Sequence, residues 1–170
     1  MKKGPDIYLN GVTSTGKSSI AEALRQCTEF YYLSDDIFED YIIDPPDYGK
    51  PGYWEKLAEA VFLMYRTAAL FSDHGKTVVI DSMLLESPAF TPHYSRMLEI
   101  FRDNPLFVTE VYCPLEICRQ RNLSRGDRYE NQSHEQAAVM AQNVHYDLRL
   151  DTSLLSPTQC AREILRRLGL

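Results

Sequence analysis

A short glycine-rich stretch near the amino end carries the residue types that hold phosphate groups. Residues 11–18 read GVTSTGKS and fit the pattern G-x-x-x-x-G-K-[ST]. Glycines let the backbone curl so that successive N–H groups face an anion, while the lysine reaches the β- and γ-phosphates and the hydroxyl binds Mg²⁺. We therefore predict a nucleoside triphosphate site, against the alternative of a chance glycine turn, with Lys17 on the phosphates and Ser18 on the metal. The other residues expected at the nucleotide are Gly11, Thr13, Ser14, Thr15, Gly16 and Ser19.

A triphosphate site also needs an acid close to the magnesium, and the stretch TVVIDS supplies one at Asp81. β-branched residues followed by aspartate suit a buried parallel strand whose carboxyl end opens on the site. We predict that Asp81 binds Mg²⁺, directly or through water. The alternative is an aspartate that caps the turn after the strand.

Two adjacent aspartates follow another short apolar run, YYLS. Phosphoryl transfer to an alcohol needs a base or a positioning carboxylate beside the acceptor hydroxyl. Asp35 is the candidate for that role, and Asp36 is the weaker choice. The competing interpretation is helix capping, in which Ser34 or Asp35 caps a helix and the acids favour its first turn.

Arginines are concentrated in CRQRNLSRGDR, residues 118–128. Charge on a transferred phosphoryl group spreads over its oxygens, so guanidinium groups can position and stabilise it. We predict a lid near residues 119–132, in which Arg121, Arg125 and Arg128 act on the phosphates. The alternative is a solvated basic helix face that ends in a turn.

Apolar runs alternate with longer amphipathic stretches, which is typical of an α/β protein with a parallel sheet. The expected fold is a three-layer α/β/α sandwich around five parallel strands. The predicted strands are Ile7–Leu9, Tyr31–Leu33, Thr77–Ile80, Leu106–Tyr112 and Leu148–Leu150. The predicted helices are Lys17–Cys27, Asp36–Ile43, Tyr53–Ser72, Pro88–Arg102 (capped by Ser87), Ser133–His145 (opened by a capping box with Gln136) and a last one that begins after Ser156 and stops at Gly169.

The totals fit one ordinary globular domain over residues 1–170, with 44% hydrophobic and 25% charged residues. The net charge of −6 argues against a protein that coats long nucleic acid. No apolar run approaches the roughly 18 residues that cross a membrane, and the amino end carries no secretory signal. Four cysteines without a C-x-x-C pair indicate reduced thiols and a cytoplasmic protein. A secreted effector without a conventional signal would look the same.

A missing motif and the short chain decide the predicted nucleotide and enzyme class. A guanine-specific site would normally show an N/T-K-x-D element late in the chain, and this sequence has none. ATP is therefore favoured over GTP. Large ATPase machines need a longer chain, so a phosphate site, an acceptor pocket and a lid within 170 residues favour a small-molecule kinase.

Four motifs, in order along the chain, resemble the chloramphenicol phosphotransferase-like family of P-loop kinases: LNGVTSTGKSS, YLSDDIFED, VVIDSMLLES and CPLEICRQRNLSRGDR. A fifth, HYDLRLDTSLLSP, resembles the closing strand and loop of that family. The resemblance implies ATP-dependent transfer of the γ-phosphate to a small-molecule hydroxyl, and a sheet with the nucleotide strand in the middle. Carried over by motif, the functional residues of the family fall on Asp35 (acceptor), Lys17 and Ser18 (phosphate and magnesium), Arg125 and Arg128 (lid), and Thr152 and Ser153 (near the adenine).

The acceptor region departs from the family pattern. DPPDYGKPGYWEKL is rich in proline and aromatic residues, and SMLLESPAFTPHY follows the third strand. Residues that could line an acceptor pocket, with core or loop packing as the alternative, are Tyr48, Tyr53, Trp54, Met83, Phe90 and His93.

Two other hypotheses about function stay open. One is the same fold with a nucleotide, sugar-nucleotide or nucleic-acid end as acceptor, and the other is an ATP-binding switch module without catalysis.

Overall fold

Each strand of the described chain is followed by one or two helices. The computed structural model describes residues 2–42 and 50–170, with residues 41 and 42 described by their backbone. The strands are β1 (Asp6–Asn10), β2 (Tyr31–Ser34), β3 (Val78–Ser82), β4 (Leu106–Tyr112) and β5 (Leu148–Asp151). The helices are α1 (Lys17–Arg25), α2 (Asp35–Ile42), α3 (Tyr53–Asp73), α4 (His93–Ile100), α5 (Leu115–Arg125), α6 (Gln132–Val139) and α7 (Pro157–Leu168). Within these ranges no helix combines the length and the apolar character that crossing a bilayer requires.

The five strands form one parallel sheet in the order β2-β3-β1-β4-β5. β1 is therefore the central strand, and the glycine-rich stretch leaves the sheet at its middle. In the register of the sheet, Leu9 and Ser34 both lie beside Asp81, and Asn10 lies beside Ser82. The carboxyl ends of β1, β2 and β3 thus meet at one edge. The predicted α/β sandwich with five parallel strands is confirmed.

Side chains on the sheet alternate between two apolar layers, because successive residues of a strand point to opposite faces. On β1, Tyr8 belongs to the layer under α3 and α4, whereas Ile7 and Leu9 belong to the layer under α1 and α7. The same alternation places Asp81 on the α1 side of β3 and Ser82 on the α3 side. Burial of each large apolar side chain contributes about 1.5–3 kcal/mol, so the two layers hold this sheet edge firmly from both faces.

The predicted helix Pro88–Arg102 is wrong at its amino end, since α4 begins at His93. Residues 87–91 form a turn instead, and Ser87 lies in that turn rather than at a helix cap. Pro92 is the physical reason: its ring disfavours helical backbone in the residue before it, so the helix starts only after Pro92.

The predicted helix Ser133–His145 is wrong at its carboxyl end, because α6 spans Gln132–Val139. The expected capping box does not form. Ser133 is buried inside the helix, where its hydroxyl accepts a hydrogen bond from a side chain of α5 (3.3 Å). Gln136 accepts one from the amide of Thr13 (2.6 Å). Both polar side chains are therefore committed to tertiary contacts and not to the helix end.

The last helix follows its end signals as predicted. Ser156 and Gln159 form a capping box, and Pro157 occupies the first helical position. Gly169 ends the helix with a φ of 70°, a conformation that favours glycine.

Candidate active site

The loop of residues 11–16 between β1 and α1, here called the glycine loop, packs closely against neighbouring backbone. A Cβ on Gly11 would lie 2.4 Å from the carbonyl oxygen of Val111 in β4, so only glycine fits there. Ser14 and Gly16 have positive φ angles of 62° and 100°, which turn the loop back toward α1. The curled backbone that the sequence predicts is therefore present.

The amino end of α1 has the features of an anion-binding surface. No described side chain caps its first turn, and that turn contains no acid. The first backbone N–H groups and the positive end of the helix dipole therefore face the glycine loop. Lys17 Nζ donates to the carbonyl oxygens of Gly11 (2.6 Å) and Val12 (3.3 Å). The ammonium group is thus held over the loop at the point where α1 begins.

Asp81 is buried at the carboxyl end of β3 and faces the start of α1. Ser18 Oγ and the Tyr32 hydroxyl both donate to Asp81 Oδ2 at 2.8 Å, and Lys17 Nζ lies 3.8 Å from Asp81 Oδ1. Burial raises the pKa of Tyr32, and the charge and hydrogen bond of Asp81 raise it further. The two residues predicted to bind Mg²⁺ are therefore brought together, and Tyr32 joins them.

The chemistry of this pair suits magnesium. Serine hydroxyl and carboxylate oxygens are hard ligands, and Mg²⁺ usually takes only one or two carboxylates, several waters and substrate phosphates. In the described parts of the chain, no cluster of three or more His, Cys, Asp or Glu side chains could hold a metal ion alone. Ser18 and Asp81 thus fit a metal that shares its coordination with a phosphate chain.

Asp35 is the first residue of α2 and lies at the same sheet edge. Its Oδ2 accepts a hydrogen bond from Ser82 Oγ (3.0 Å), and its Oδ1 accepts one from the amide of Asp36 (3.0 Å). The Ser34 hydroxyl accepts a hydrogen bond from the amide of Ile37 (3.2 Å) and so caps the first turn. Ser34 therefore caps the helix, and the hydrogen bond from Ser82 orients the Asp35 carboxylate toward β3.

The surroundings of Asp35 disfavour its charged form. Burial is the largest cause, and the negative charges of Asp36 and Asp81 act in the same direction, whereas Lys17 and the hydrogen bond from Ser82 oppose them. The result is that the pKa of Asp35 is raised to about 7. A carboxyl group that titrates near neutrality can take up and release a proton, as a general base must.

Arg121 joins α5 to the glycine loop and to the loop after β5. Its guanidinium donates to the carbonyl of Ser14 (3.2 Å) and to the Oγ1 and carbonyl of Thr152 (3.1 and 2.9 Å). The Thr152 hydroxyl in turn donates to the carbonyl of Thr15 (2.6 Å). The structure thus brings Arg121 and Thr152, both predicted at the nucleotide, onto the glycine loop.

The other two predicted lid arginines lie where α5 ends at Gly126, which has a φ of 76°. Arg125 donates two hydrogen bonds of 3.0 Å to the carboxylate of Asp127. Arg128 Nη2 lies 3.4 Å from Oδ2 of Asp36. Among the described residues, Arg125 pairs with Asp127, and Arg128 pairs with Asp36 and Asp127. The structure therefore does not bring these two side chains onto the glycine loop.

The sequence profile of one family matches residues 4–169, almost the whole chain, and its description is "Chloramphenicol phosphotransferase-like protein". The chain belongs to this family. The assignment predicted from the motifs is confirmed.

One curated relative and two solved structures are similar to this chain. The "Putative O-phosphotransferase Rv2636" of Mycobacterium tuberculosis is 25% identical over an alignment of 190 residues, covering 96% of this chain and 82% of the relative. The APS kinase of Mycobacterium tuberculosis in complex with AMPPNP and APS has a TM-score of 0.77 at 19% identity, over 100% of both chains. Shikimate kinase from Acinetobacter baumannii in complex with shikimate has a TM-score of 0.62 at 15% identity, over 99% of this chain and 94% of that one. The two kinase structures show that the fold is that of P-loop kinases.

In this chloramphenicol phosphotransferase-like chain, polar side chains from α5 and α6 support the glycine loop, and the motifs did not reveal them. Ser14 Oγ donates to Oδ1 of the buried Asn122 (2.7 Å), and the Thr13 amide donates to Gln136. Asn122 lies in a helix that is otherwise rich in charge, so its burial has no periodic signal in the sequence. The predicted lid region is therefore anchored to the loop at its helical parts.

The residues predicted to line an acceptor pocket lie in different surroundings, and two of them are core residues. Phe90 and His93 are 1% and 0% exposed in the layer under α3, so the packing alternative holds for them. Of the others, Tyr53 is buried, Trp54 is exposed, Met83 packs beside the glycine loop and Tyr48 lies outside the described residues.

Proposed function

We propose that this protein is an ATP-dependent O-phosphotransferase that moves the γ-phosphate to a hydroxyl group of a small molecule. The observation that carries the proposal is the arrangement at the end of β3. Asp81 contacts the start of α1 through Ser18, and the next residue, Ser82, holds Asp35 on the opposite face of the sheet. The candidate phosphate-binding region and the candidate base are thus connected through two consecutive residues of β3, Asp81 and Ser82. Membership of a phosphotransferase-like family supports the same reaction class.

On the donor side, the glycine loop would bind the triphosphate. Its backbone N–H groups and Lys17 would hold the β- and γ-phosphates. Ser18 and Asp81 would hold Mg²⁺, which neutralises phosphate charge when it is bound. Arg121 would keep the loop in its curled form through its bonds to the Ser14 and Thr152 carbonyls. The proposed nucleotide contacts are Gly11, Thr13, Ser14, Thr15, Gly16, Lys17, Ser18, Ser19, Arg121 and Thr152.

On the acceptor side, Asp35 would orient the hydroxyl and accept its proton. The hydroxyl oxygen forms a bond to the γ-phosphorus while the bond from that phosphorus to the β–γ bridging oxygen breaks, which leaves a phosphate monoester and ADP. Asp35 then releases the proton to water. The raised pKa of Asp35, about 7, suits this exchange at neutral pH.

The segment of residues 119–132 would act as a lid. Arg121 already contacts the glycine loop, and Arg125 and Arg128 would exchange their carboxylate partners for the γ-phosphate. The Nε atom of Arg128 is buried and has no hydrogen-bond partner among the described residues. This donor, which lies 3.9 Å from Oδ2 of Asp127, is therefore available to an oxygen that arrives with the nucleotide.

The acceptor is proposed to be a small molecule. The net charge of −6 disfavours a long polynucleotide, and the two kinases of similar fold hold small molecules, APS and shikimate, in their complexes. We expect the reaction to take place in the cytoplasm, because the four thiols are free and stay reduced there.

The test is a transfer assay with γ-labelled ATP, Mg²⁺ and a panel of alcohols: chloramphenicol, shikimate, gluconate and a nucleoside. We expect label on at least one alcohol and release of ADP. Asp35→Asn should still bind ATP but lose roughly 10²–10⁴-fold in transfer rate, whereas Asp40→Asn, exposed on the same helix, should keep the unmodified rate. Full transfer by Asp35→Asn would remove the acceptor role, and ATP binding without transfer to any alcohol would contradict the proposed activity.

A further inference from the structure

The two carboxylate oxygens of Asp81 have different partners. Oδ2 accepts two hydrogen bonds of 2.8 Å, one from Ser18 Oγ and one from the Tyr32 hydroxyl. Oδ1 accepts no hydrogen bond among the described residues and lies 3.8 Å from Nζ of Lys17. Asp81 is buried, and a buried charge is costly unless it is paired and hydrogen-bonded. The two donors stabilise that charge, but both of them act on the same oxygen.

The two donors differ in how firmly they are held. Ser18 is exposed, so water can compete for its bond to Asp81. Tyr32 is partly buried on β2, and its ring packs against the apolar layer under α1 and α7. The guanidinium of Arg25 lies over the same ring, 5.9 Å from its centroid. Because the ring is held in this way, the hydroxyl of Tyr32 is the more constant of the two donors.

The register of the sheet explains why a tyrosine is needed at position 32. Tyr32 lies beside Val79, and Asp81 is two residues further along β3 on the same face. Two residues of a strand span about 6.6 Å, so only a long side chain reaches from position 32 to Asp81. Ser34 lies directly beside Asp81, but its hydroxyl caps α2.

Packing explains the ring of Tyr32 but not its hydroxyl. Phenylalanine would fill the same space against the apolar layer and would bring no donor. A hydroxyl on a partly exposed ring could also bond to water, whereas this one donates to a carboxylate that already has a donor. Hydrogen bonds to an ionised group are stronger than those between neutral groups. The hydroxyl therefore acts on Asp81, and through it on the candidate metal site.

We propose that Tyr32 is a positioning residue of the magnesium site, whose hydroxyl holds Oδ2 of Asp81 and so leaves Oδ1 available to the metal. The inference rests on the proposed function in one respect, namely that Ser18 and Asp81 bind Mg²⁺. Without the phenol, the carboxylate can rotate and close the 3.8 Å gap to Lys17. Lys17 would then compete with the metal, which accepts little departure from octahedral geometry.

The first test measures metal binding and needs no acceptor. The full-length protein is loaded with the ATP analogue AMPPNP and titrated with Mn²⁺, and electron paramagnetic resonance follows the free ion. Tyr32→Phe should raise the Kd of Mn²⁺ in this complex roughly tenfold or more, the loss expected when an outer partner of a metal ligand is removed. AMPPNP binding in EDTA should stay unchanged. The matched control is Tyr31→Phe, because the Tyr31 ring stacks on Phe71 (4.5 Å) on the opposite face of the sheet.

A second measurement distinguishes positioning from packing. In an Asp81→Ala background, Tyr32→Phe should no longer change the Kd of Mn²⁺, because the carboxylate that it positions is gone. An effect of equal size in that background would assign the substitution to packing and overturn the inference. With the panel alcohol that gives the highest transfer, excess Mg²⁺ should restore most of the kcat that Tyr32→Phe loses at low Mg²⁺.

The possible outcomes separate this inference from the proposed function. If Tyr32→Phe and Tyr31→Phe give the same Kd for Mn²⁺, the positioning role is wrong even where the unmodified protein transfers phosphate. If Mn²⁺ does not tighten AMPPNP binding to the unmodified protein, the role is also wrong, since Asp81 then holds no metal. If the Kd rises as expected but no alcohol is phosphorylated, the proposed function fails and the role of Tyr32 at the metal stands.

Discussion

Arg128 and Asp36 form an ion pair, with 3.4 Å between Nη2 and Oδ2, that joins the segment after α5 to the first turn of α2. The Arg128 side chain is 28% exposed and that of Asp36 is 69% exposed, so the pair lies at the rim of the candidate site. Pairs this exposed contribute roughly 0.2–1 kcal/mol, and a phosphate group that carries more charge would compete with Asp36 for the guanidinium. We interpret the pair as the resting position of the proposed lid.

Removing the acid from this pair should favour nucleotide binding. Asp36→Asn is expected to tighten ATP binding by up to about fivefold, because Arg128 no longer has to leave a charged partner. Isothermal titration calorimetry with ATP and Mg²⁺ measures the Kd. In an Arg128→Gln background the same substitution should change nothing. An equal gain in that background would assign the effect to the lost negative charge of Asp36 and not to the pair.

Alanine substitutions of the two neighbouring serines at the start of α1 should differ in their effect on the Mg²⁺ concentration that transfer requires. Ser18 Oγ donates to Asp81, whereas the exposed Ser19 makes no side-chain hydrogen bond in the described structure. Ser18→Ala should raise the Mg²⁺ concentration that gives half-maximal transfer by about tenfold or more, as loss of a metal-site partner does. Ser19→Ala serves as the control for the metal, because the contact proposed for Ser19 is with the nucleotide, and it should leave the Mg²⁺ requirement almost unchanged. Equal requirements in the two variants would contradict the proposed metal site.

The parts of the site that lie within one segment could be predicted from the sequence. The glycine loop is specified by local needs: Gly11 must avoid the Val111 carbonyl, and Gly16 adopts a positive φ. Asp81 was predictable because an apolar run places its last residues at the edge of a buried strand. Strand bounds were equally accessible, since apolar runs and turn residues alternate regularly along this chain.

The parts that join distant segments could not be predicted. The contacts of Ser82 with Asp35 and of Gln136 with Thr13 link residues 47 and 123 positions apart, and no local pattern marks them. Gln136 even gave a wrong signal, because the same S-x-x-Q spacing that forms a capping box can arise in a helix whose polar residues face another element. Ser82 had a usable signal: alternation in β3 puts it on the face opposite to Asp81.

The pH dependence of transfer should report the raised pKa of Asp35. Because this pKa is about 7, the carboxyl is protonated and inactive as a base below that pH, so kcat/KM should rise through pH 7 and level off above it. The charge of Asp36 is the largest cause after burial. Asp36→Asn should therefore move the midpoint of the profile to lower pH, with Asp40→Asn as the control. A midpoint that stays in place or rises would refute the assignment of the profile to Asp35.

A second carboxyl with a raised pKa lies at the opposite end of β1, far from the proposed chemistry. Asp6 is 0% exposed, and neither of its oxygens has a hydrogen-bond partner of good geometry among the described residues. The nearby Ser72 hydroxyl donates to the Gly4 carbonyl instead (2.5 Å). Burial is the main reason that the pKa of Asp6 is raised from 3.8 to about 7, with Ser72 opposing and Asp73 adding to the shift.

Asp6 should make the protein less stable as the pH rises. Between its unfolded pKa of 3.8 and its folded pKa of about 7, the folded state binds more protons than the unfolded state, so the free energy of unfolding falls with increasing pH. Asp6→Asn, which cannot ionise, should raise the free energy of unfolding at pH 8 by on the order of a few kcal/mol and change it little at pH 4. Urea unfolding at both pH values measures this free energy.

Asp35 also makes the free energy of unfolding fall as the pH rises, so Asp6→Asn should reduce the pH dependence of stability without abolishing it. The exposed Asp103→Asn is the control, and an Asp6→Asn protein with the unmodified slope would show that Asp6 is already neutralised by a partner.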